Sequence, residues 1–128
     1  VTKGNPNGHV VLRGGSQGPN YDPGSISDTV ERLNKAKLNT KLIVDCSHAN
    51  SGKDFTKQNI PFRDVLKQRQ NGNADIAGVM LESHLYEGNQ PFNVSSPECL
   101  KYGVSITDSC IGWEETVDLI TEAYNLLG

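Results

Sequence analysis

Three short apolar runs punctuate the chain: Val10-Val11-Leu12, Leu42-Ile43-Val44 and Ile76 to Leu81. Each is bounded by polar or glycine-bearing sequence, and their length and β-branching read as buried strands. None alternates apolar with polar, which suits a parallel sheet covered on both faces. Between the runs the period changes. Ile26, Val30 and Leu33 recur at helical spacing, with Ser25 and Asp28 forming a capping-box-like start. Phe62, Val65 and Leu66 share one face of a second helix, which Asn71-Gly72 ends. A third helix is predicted from Trp113 to Leu127, its apolar face made by Trp113, Val117, Ile120, Tyr124 and Leu127. Glu114 and Glu115 suit the positive end of its dipole.

The order is therefore β-α-β-α-β-loop-α, the repeat of βαβ units, which makes the chain an α/β protein. Glu87 to Gly103 holds Gly88, Pro91, Pro97 and Gly103 without a period, and reads as a long loop of functional interest. Three βα units do not close a barrel, and an open sheet of three parallel strands leaves bare edges. The chain also opens Val1-Thr2-Lys3 rather than on Met. Both features raise the expectation that an N-terminal part precedes Val1.

Composition narrows the class. With 128 residues one compact domain is expected, and a net charge of -3 disfavours a nucleic-acid or acidic-membrane surface. No apolar run is long enough to span a bilayer, and no signal-peptide core is visible. Three cysteines, Cys46, Cys99 and Cys110, leave an odd count that fits reduced thiols in a cytoplasmic protein.

Candidate chemistry follows each apolar run. The first leads into Arg13-Gly14-Gly15, the second into Asp45-Cys46-Ser47-His48-Ala49-Asn50, the third into Glu82-Ser83-His84. In parallel α/β folds the carboxyl ends of strands are where ligands bind. Arg13 offers a planar fork for phosphate or carboxylate, with glycines that admit close backbone approach; a surface arginine before a turn is the plainer alternative. His48, Glu82, His84 and Asp108 are metal-capable, and imidazole with carboxylates suits Mn²⁺, Fe²⁺, Co²⁺ or Zn²⁺. The separations of 34 residues from His48 to Glu82 and 26 from Glu82 to Asp108 match no short zinc motif, so the set has meaning only if folding gathers the strand ends. Cys46 shares a strand face with His48, but a small buried hydrophobe is the favoured reading over a Cys-x-His ligand pair. Cys99 and Cys110 read as loop and core thiols.

At these residues the sequence resembles class I 3-deoxy-D-arabino-heptulosonate 7-phosphate (DAHP) synthases, of the bacterial and fungal branch regulated by aromatic amino acids. The likeness is carried by Leu12-Arg13-Gly14-Gly15, by Asp45 through Ser51, by Gly78 through Leu85, by Glu87-Gly88-Asn89-Gln90 and by Tyr102 through Trp113, in order. It implies the C-terminal three βα units of a TIM (β/α)8 barrel, with residues 1–128 forming part of a single catalytic domain whose N-terminal part is absent. It implies a transferase of the shikimate pathway that condenses phosphoenolpyruvate with erythrose 4-phosphate to DAHP and phosphate. By the same likeness His48, Glu82 and Asp108 hold a divalent metal, and His48 and Asp108 act in catalysis. Arg13 binds phosphoenolpyruvate, and Asp108 also contacts the aldose phosphate. His84 has at most a supporting place beside Glu82. Trp113 is expected to anchor the last helix against the barrel.

The resemblance also implies what is missing. The family's metal-ligating Cys and most of its phosphate-clamping Lys and Arg lie upstream of the matching blocks, and Cys46 is not that ligand. The chain alone is therefore expected to be inactive, and to self-associate or pair with an N-terminal part. Two alternatives stand beside this: an eight-carbon 3-deoxy-octulosonate 8-phosphate type of synthase, and a non-catalytic module that binds metal or a partner.

Overall fold

The computed structural model describes residues 1–92 and 95–128. Strands β1 (Val10–Leu12), β2 (Leu42–Asp45) and β3 (Ile76–Met80) alternate with helices α1 (Pro23–Lys35), α2 (Asn59–Gln70) and α3 (Trp113–Leu127). The strands form one parallel sheet in the order β1-β2-β3. Val10 pairs with Leu42 and Leu12 with Val44; beyond an irregularity at Leu42/Ile43, Ile43 pairs with Gly78 and Asp45 with Met80. All three carboxyl ends therefore lie along the same edge of the sheet.

Among the described residues, only one face of that sheet is covered. Leu12, Leu42, Val44 and Ile76 bury against Ile26 of α1 and Val65 of α2 in one cluster, so both helices lie on the same side. Parallel strands joined by right-handed crossovers place successive helices this way. Each fully buried aliphatic side chain is worth about 1.5–3 kcal/mol. Val11 and Met80 remain exposed. The expectation of a sheet covered on both faces is thus met on one.

The N-cap of helix α1 lies three residues before the expected Ser25. Asp22 is its N-cap: its carboxylate accepts from the Ser25 backbone N–H at 3.0 Å and from the Ser25 hydroxyl. Pro23 explains the shift, because proline has no N–H to lose in the first turn and its φ is already helical. Helix α2 buries Phe62, Val65 and Leu66 as the spacing predicts, and ends at Asn71 before Gly72, whose φ is +96°.

Helix α3 spans the predicted residues but turns a different face inward. Leu119 is buried against Cys46, Phe62, Leu66 and Ile111, with Ala123 beside it. Arg63 of α2 clamps Glu122 through Nε and Nη2, each contact at 3.0 Å. Trp113 is 57% exposed and Ile120 55% exposed, so within residues 1–128 the helix is held by Leu119 and not by Trp113. The remaining members of the stripe, Val117, Tyr124 and Leu127, are exposed too.

The expected loop after β3 carries a 3-10 turn at Pro97–Cys99. Its residues 93 and 94 lie outside the described residues. Isolated bridges Ser83–Ile111, Gly88–Cys110 and Asn89–Ser105 fold this segment back on itself and bring 103–112 beside the end of β3.

Candidate metal centre

The residue after β1 is Arg13, and the turn that follows needs glycine. Gly14 has φ +71°, and a Cβ there would lie 2.7 Å from the Ala49 side chain. The β1 turn is thereby pressed onto the turn after β2. Amides tie the two together. Asn50 donates to the carbonyls of Leu12 (3.0 Å) and Asp45 (2.7 Å) and accepts from the Asn20 backbone N–H (2.8 Å). Asn20 in turn accepts from Gly14 N–H at 2.7 Å.

After β2 the chain enters a 3-10 turn at His48–Ser51. His48 opens it with φ +50°, a conformation that non-glycine residues seldom adopt. The turn is held by hydrogen bonds to the His48 carbonyl from Lys53 N–H (2.6 Å) and from the Ser51 hydroxyl (3.2 Å). The His48 ring then stands over Asp45, with Nδ1 2.7 Å from Asp45 Oδ2. Its other nitrogen, Nε2, faces Glu82 Oε1 at 3.7 Å and Asp108 Oδ2 at 3.9 Å.

Glu82 follows β3, and its main chain is fixed by Gln58, a residue with no exposed surface. The Gln58 amide donates to the Glu82 carbonyl at 3.0 Å and accepts from Glu82 N–H at 2.8 Å. Glu82 Oε2 accepts from the Ser47 hydroxyl, which leaves Oε1 toward His48. Asp108 comes from the folded-back segment and has a side chain 71% exposed. Asn89 steadies that segment by donating to the Thr107 carbonyl at 2.8 Å.

One ligand atom from each of His48, Glu82 and Asp108 falls within 4.8 Å of the others. A nitrogen and two carboxylates converging at that range fit a divalent first-row transition metal. The three line a cavity of about 390 Å³ together with Arg13, Lys53 and Phe55. Arg13 makes no ion pair among the described residues, and so presents a free cation on the cavity wall.

His84 does not join this cluster. Its Nδ1 accepts from Leu85 N–H at 2.9 Å and lies against the Gly103 carbonyl. Cys46 is fully buried in the apolar cluster, and burial, aided by the Asp45 charge, pushes its thiol up to about 12. Such a thiol holds its proton at neutral pH and packs as a small hydrophobe. Lys53, Ser47 and Gln58 were not singled out from the sequence. Lys53 sits only five residues beyond His48, which is a local signal; Gln58 reaches Glu82 across 24 residues and leaves none.

Comparison with known proteins finds relatives over nearly the whole chain. The model of the DAHP synthetase I family matches residues 1–121. A Tyr-sensitive phospho-2-dehydro-3-deoxyheptonate aldolase from Enterobacter agglomerans is 46% identical over 123 residues, covering 96% of this chain and 57% of that protein. A Phe-sensitive enzyme of the same name from Escherichia coli (strain K12) is 48% identical over 124 residues, covering 97% and 35%. The solved structure of phospho-2-dehydro-3-deoxyheptonate aldolase from Francisella tularensis SCHU S4 superposes with a TM-score of 0.89 at 46% identity, over 98% of this chain and 36% of that one. The chain thus spans between a third and somewhat over half of the length of these relatives. It belongs to the DAHP synthetase I family.

Proposed function

We propose that residues 1–128 are the C-terminal three βα units of a (β/α)8 barrel, and that the complete protein is a DAHP synthase acting in the cytoplasm. The reaction condenses phosphoenolpyruvate with erythrose 4-phosphate to give DAHP and phosphate. The observation that carries the reading is the meeting of His48, Glu82 and Asp108 beside Arg13, at the carboxyl ends of parallel strands. In barrel enzymes that end is the catalytic one.

His48 Nε2, Glu82 and Asp108 would hold a divalent ion, Mn²⁺, Fe²⁺, Co²⁺ or Zn²⁺, with a further ligand from outside this chain. When bound, such an ion supplies Lewis acidity to the aldehyde of erythrose 4-phosphate. Arg13 binds phosphoenolpyruvate through its guanidinium fork, offsetting negative charge and setting the angle at which carbon 3 meets the aldehyde. Asp108, exposed on the cavity rim, also contacts the aldose phosphate. Gln58 and Ser47 hold Glu82 so that one carboxylate oxygen stays available. The remaining strands cover the open sheet face and the apolar stripe of α3. Homo-oligomers of the completed barrel are expected.

In the complete protein, His48→Ala should reduce Mn²⁺-dependent DAHP formation to background, and chelation of the wild type should do the same. Full activity in His48→Ala would sink the assignment. The chain by itself should form no DAHP, because it brings three donors to the ion and one cation of the substrate clamp.

A further inference from the structure

We propose that Asp45 is a positioning residue that fixes the tautomer and direction of His48, so that Nε2 is delivered as a lone pair to the donor cluster. The inference rests on the metal-site reading above and concerns a residue which that reading does not use.

Asp45 is the last residue of β2 and only 1% exposed. A carboxylate in such a place needs partners for both oxygens. Oδ1 accepts from Ser47 N–H at 2.8 Å. Oδ2 lies 2.7 Å from His48 Nδ1, a close contact that is not an aligned hydrogen bond, and neither of these two buried atoms has a hydrogen-bond partner among the described residues. A carboxylate only accepts hydrogen bonds, and a neutral imidazole carries a proton on one nitrogen and a lone pair on the other. At 2.7 Å from Asp45 the proton belongs on Nδ1, so Nε2 keeps the lone pair. Nε2 is too far from Glu82 and Asp108 to hydrogen-bond to either, at 3.7 and 3.9 Å, and points into the space among them.

The backbone supports the same role. His48 has a left-handed φ of +50° inside a turn pinned by Asn50, Ser51 and Lys53. In that conformation the ring stands over Asp45, three positions earlier. Strain retained in so well-tied a turn serves the direction of the side chain it carries. Carboxylates that receive the outer N–H of a ligating histidine fix its orientation in this way and raise its basicity.

The test uses the complete protein. In metal-free wild type at about pH 8, long-range ¹H–¹⁵N correlation should show a proton on His48 Nδ1 and none on Nε2. His48→Ala assigns the signal. Asp45→Asn should populate the Nε2–H form and weaken Mn²⁺ binding by about 10–100-fold. With Co²⁺ at saturation its absorption bands should match wild type, since the ligand atoms are unchanged. An Nε2–H tautomer in wild type, or Mn²⁺ affinity in Asp45→Asn within about twofold of wild type, would overturn the role of Asp45. The tautomer measurement decides alone if Asp45→Asn does not fold. Should His48→Ala bind Mn²⁺ as tightly as wild type, the metal-site reading itself falls. That result is separable from one in which His48→Ala loses the ion and Asp45→Asn keeps it.

Discussion

Cys46, Cys99 and Cys110 occupy three environments, and their reactivity should follow. Cys99 is exposed at the end of a 3-10 turn, Cys110 is buried near the surface, and Cys46 is enclosed by Phe62, Leu66 and Ile111. A thiol reagent at neutral pH should therefore modify Cys99 first and Cys46 only on unfolding; mass spectrometry of a time course would read the order. The Cys46 thiol also sets a pH dependence. The fold holds its proton to about 12, whereas an ordinary thiol releases it near 9.0. Between those values the unfolded chain binds fewer protons than the folded one, so stability falls as pH rises. Denaturation of Cys46→Ala should show a flatter alkaline branch. The same residues show how much of the site could be read beforehand. Arg13 and Glu82 stand directly after apolar runs, His48 a few residues beyond one, and Asp108 in a recognisable block, so their types and places were legible. Asp45, Ser47 and Gln58 were not, because their contacts depend on a left-handed residue and on a pairing across 24 or 35 positions.

Among the elements, strands and helices were legible wherever one residue pattern met one environment. The short β-branched runs became β1, β2 and β3, and Phe62, Val65 and Leu66 became the buried side of α2. The cap of α1 was missed because Asp22 precedes a proline and the obvious serine lies inside the first turn. The face of α3 was misread for a different reason. Periodicity reports that a helix has an apolar side, not which neighbour meets it, and α3 has two. Trp113, Val117, Ile120, Tyr124 and Leu127 give the longer stripe, while Leu119 and Ala123 make the contact with α2. In this chain Leu119→Ala should therefore cost about 2–5 kcal/mol by denaturant unfolding. Ile120→Ala should stay within about 0.5 kcal/mol. In the complete protein, where the proposed barrel covers the stripe, Ile120→Ala should cost as much as a core substitution. Equal small effects in both settings would place the stripe on the surface of the finished enzyme.

For the whole molecule, the sheet has an outer β1 edge without a partner strand among the described residues, and one face open at Val11 and Met80. Unpaired strand edges recruit other chains. The isolated chain should elute in size exclusion as dimers or larger species, and co-expression with an N-terminal barrel part should convert these to a defined complex. A monodisperse monomer indifferent to that part would count against the barrel reading. The amide links between the turns after β1 and β2 bear on how such a complex would respond to its medium. From Gly14 through Asn20 and Asn50 to the Asp45 carbonyl, every link is an uncharged amide or carbonyl. The spacer between the arginine arm and the histidine turn therefore carries no charge for salt to screen, while the Arg13 cation beyond it does. High salt would loosen the hold of Arg13 on an anion while the two turns keep their spacing, so that loss of occupancy and loss of shape become separate, independently reversible events.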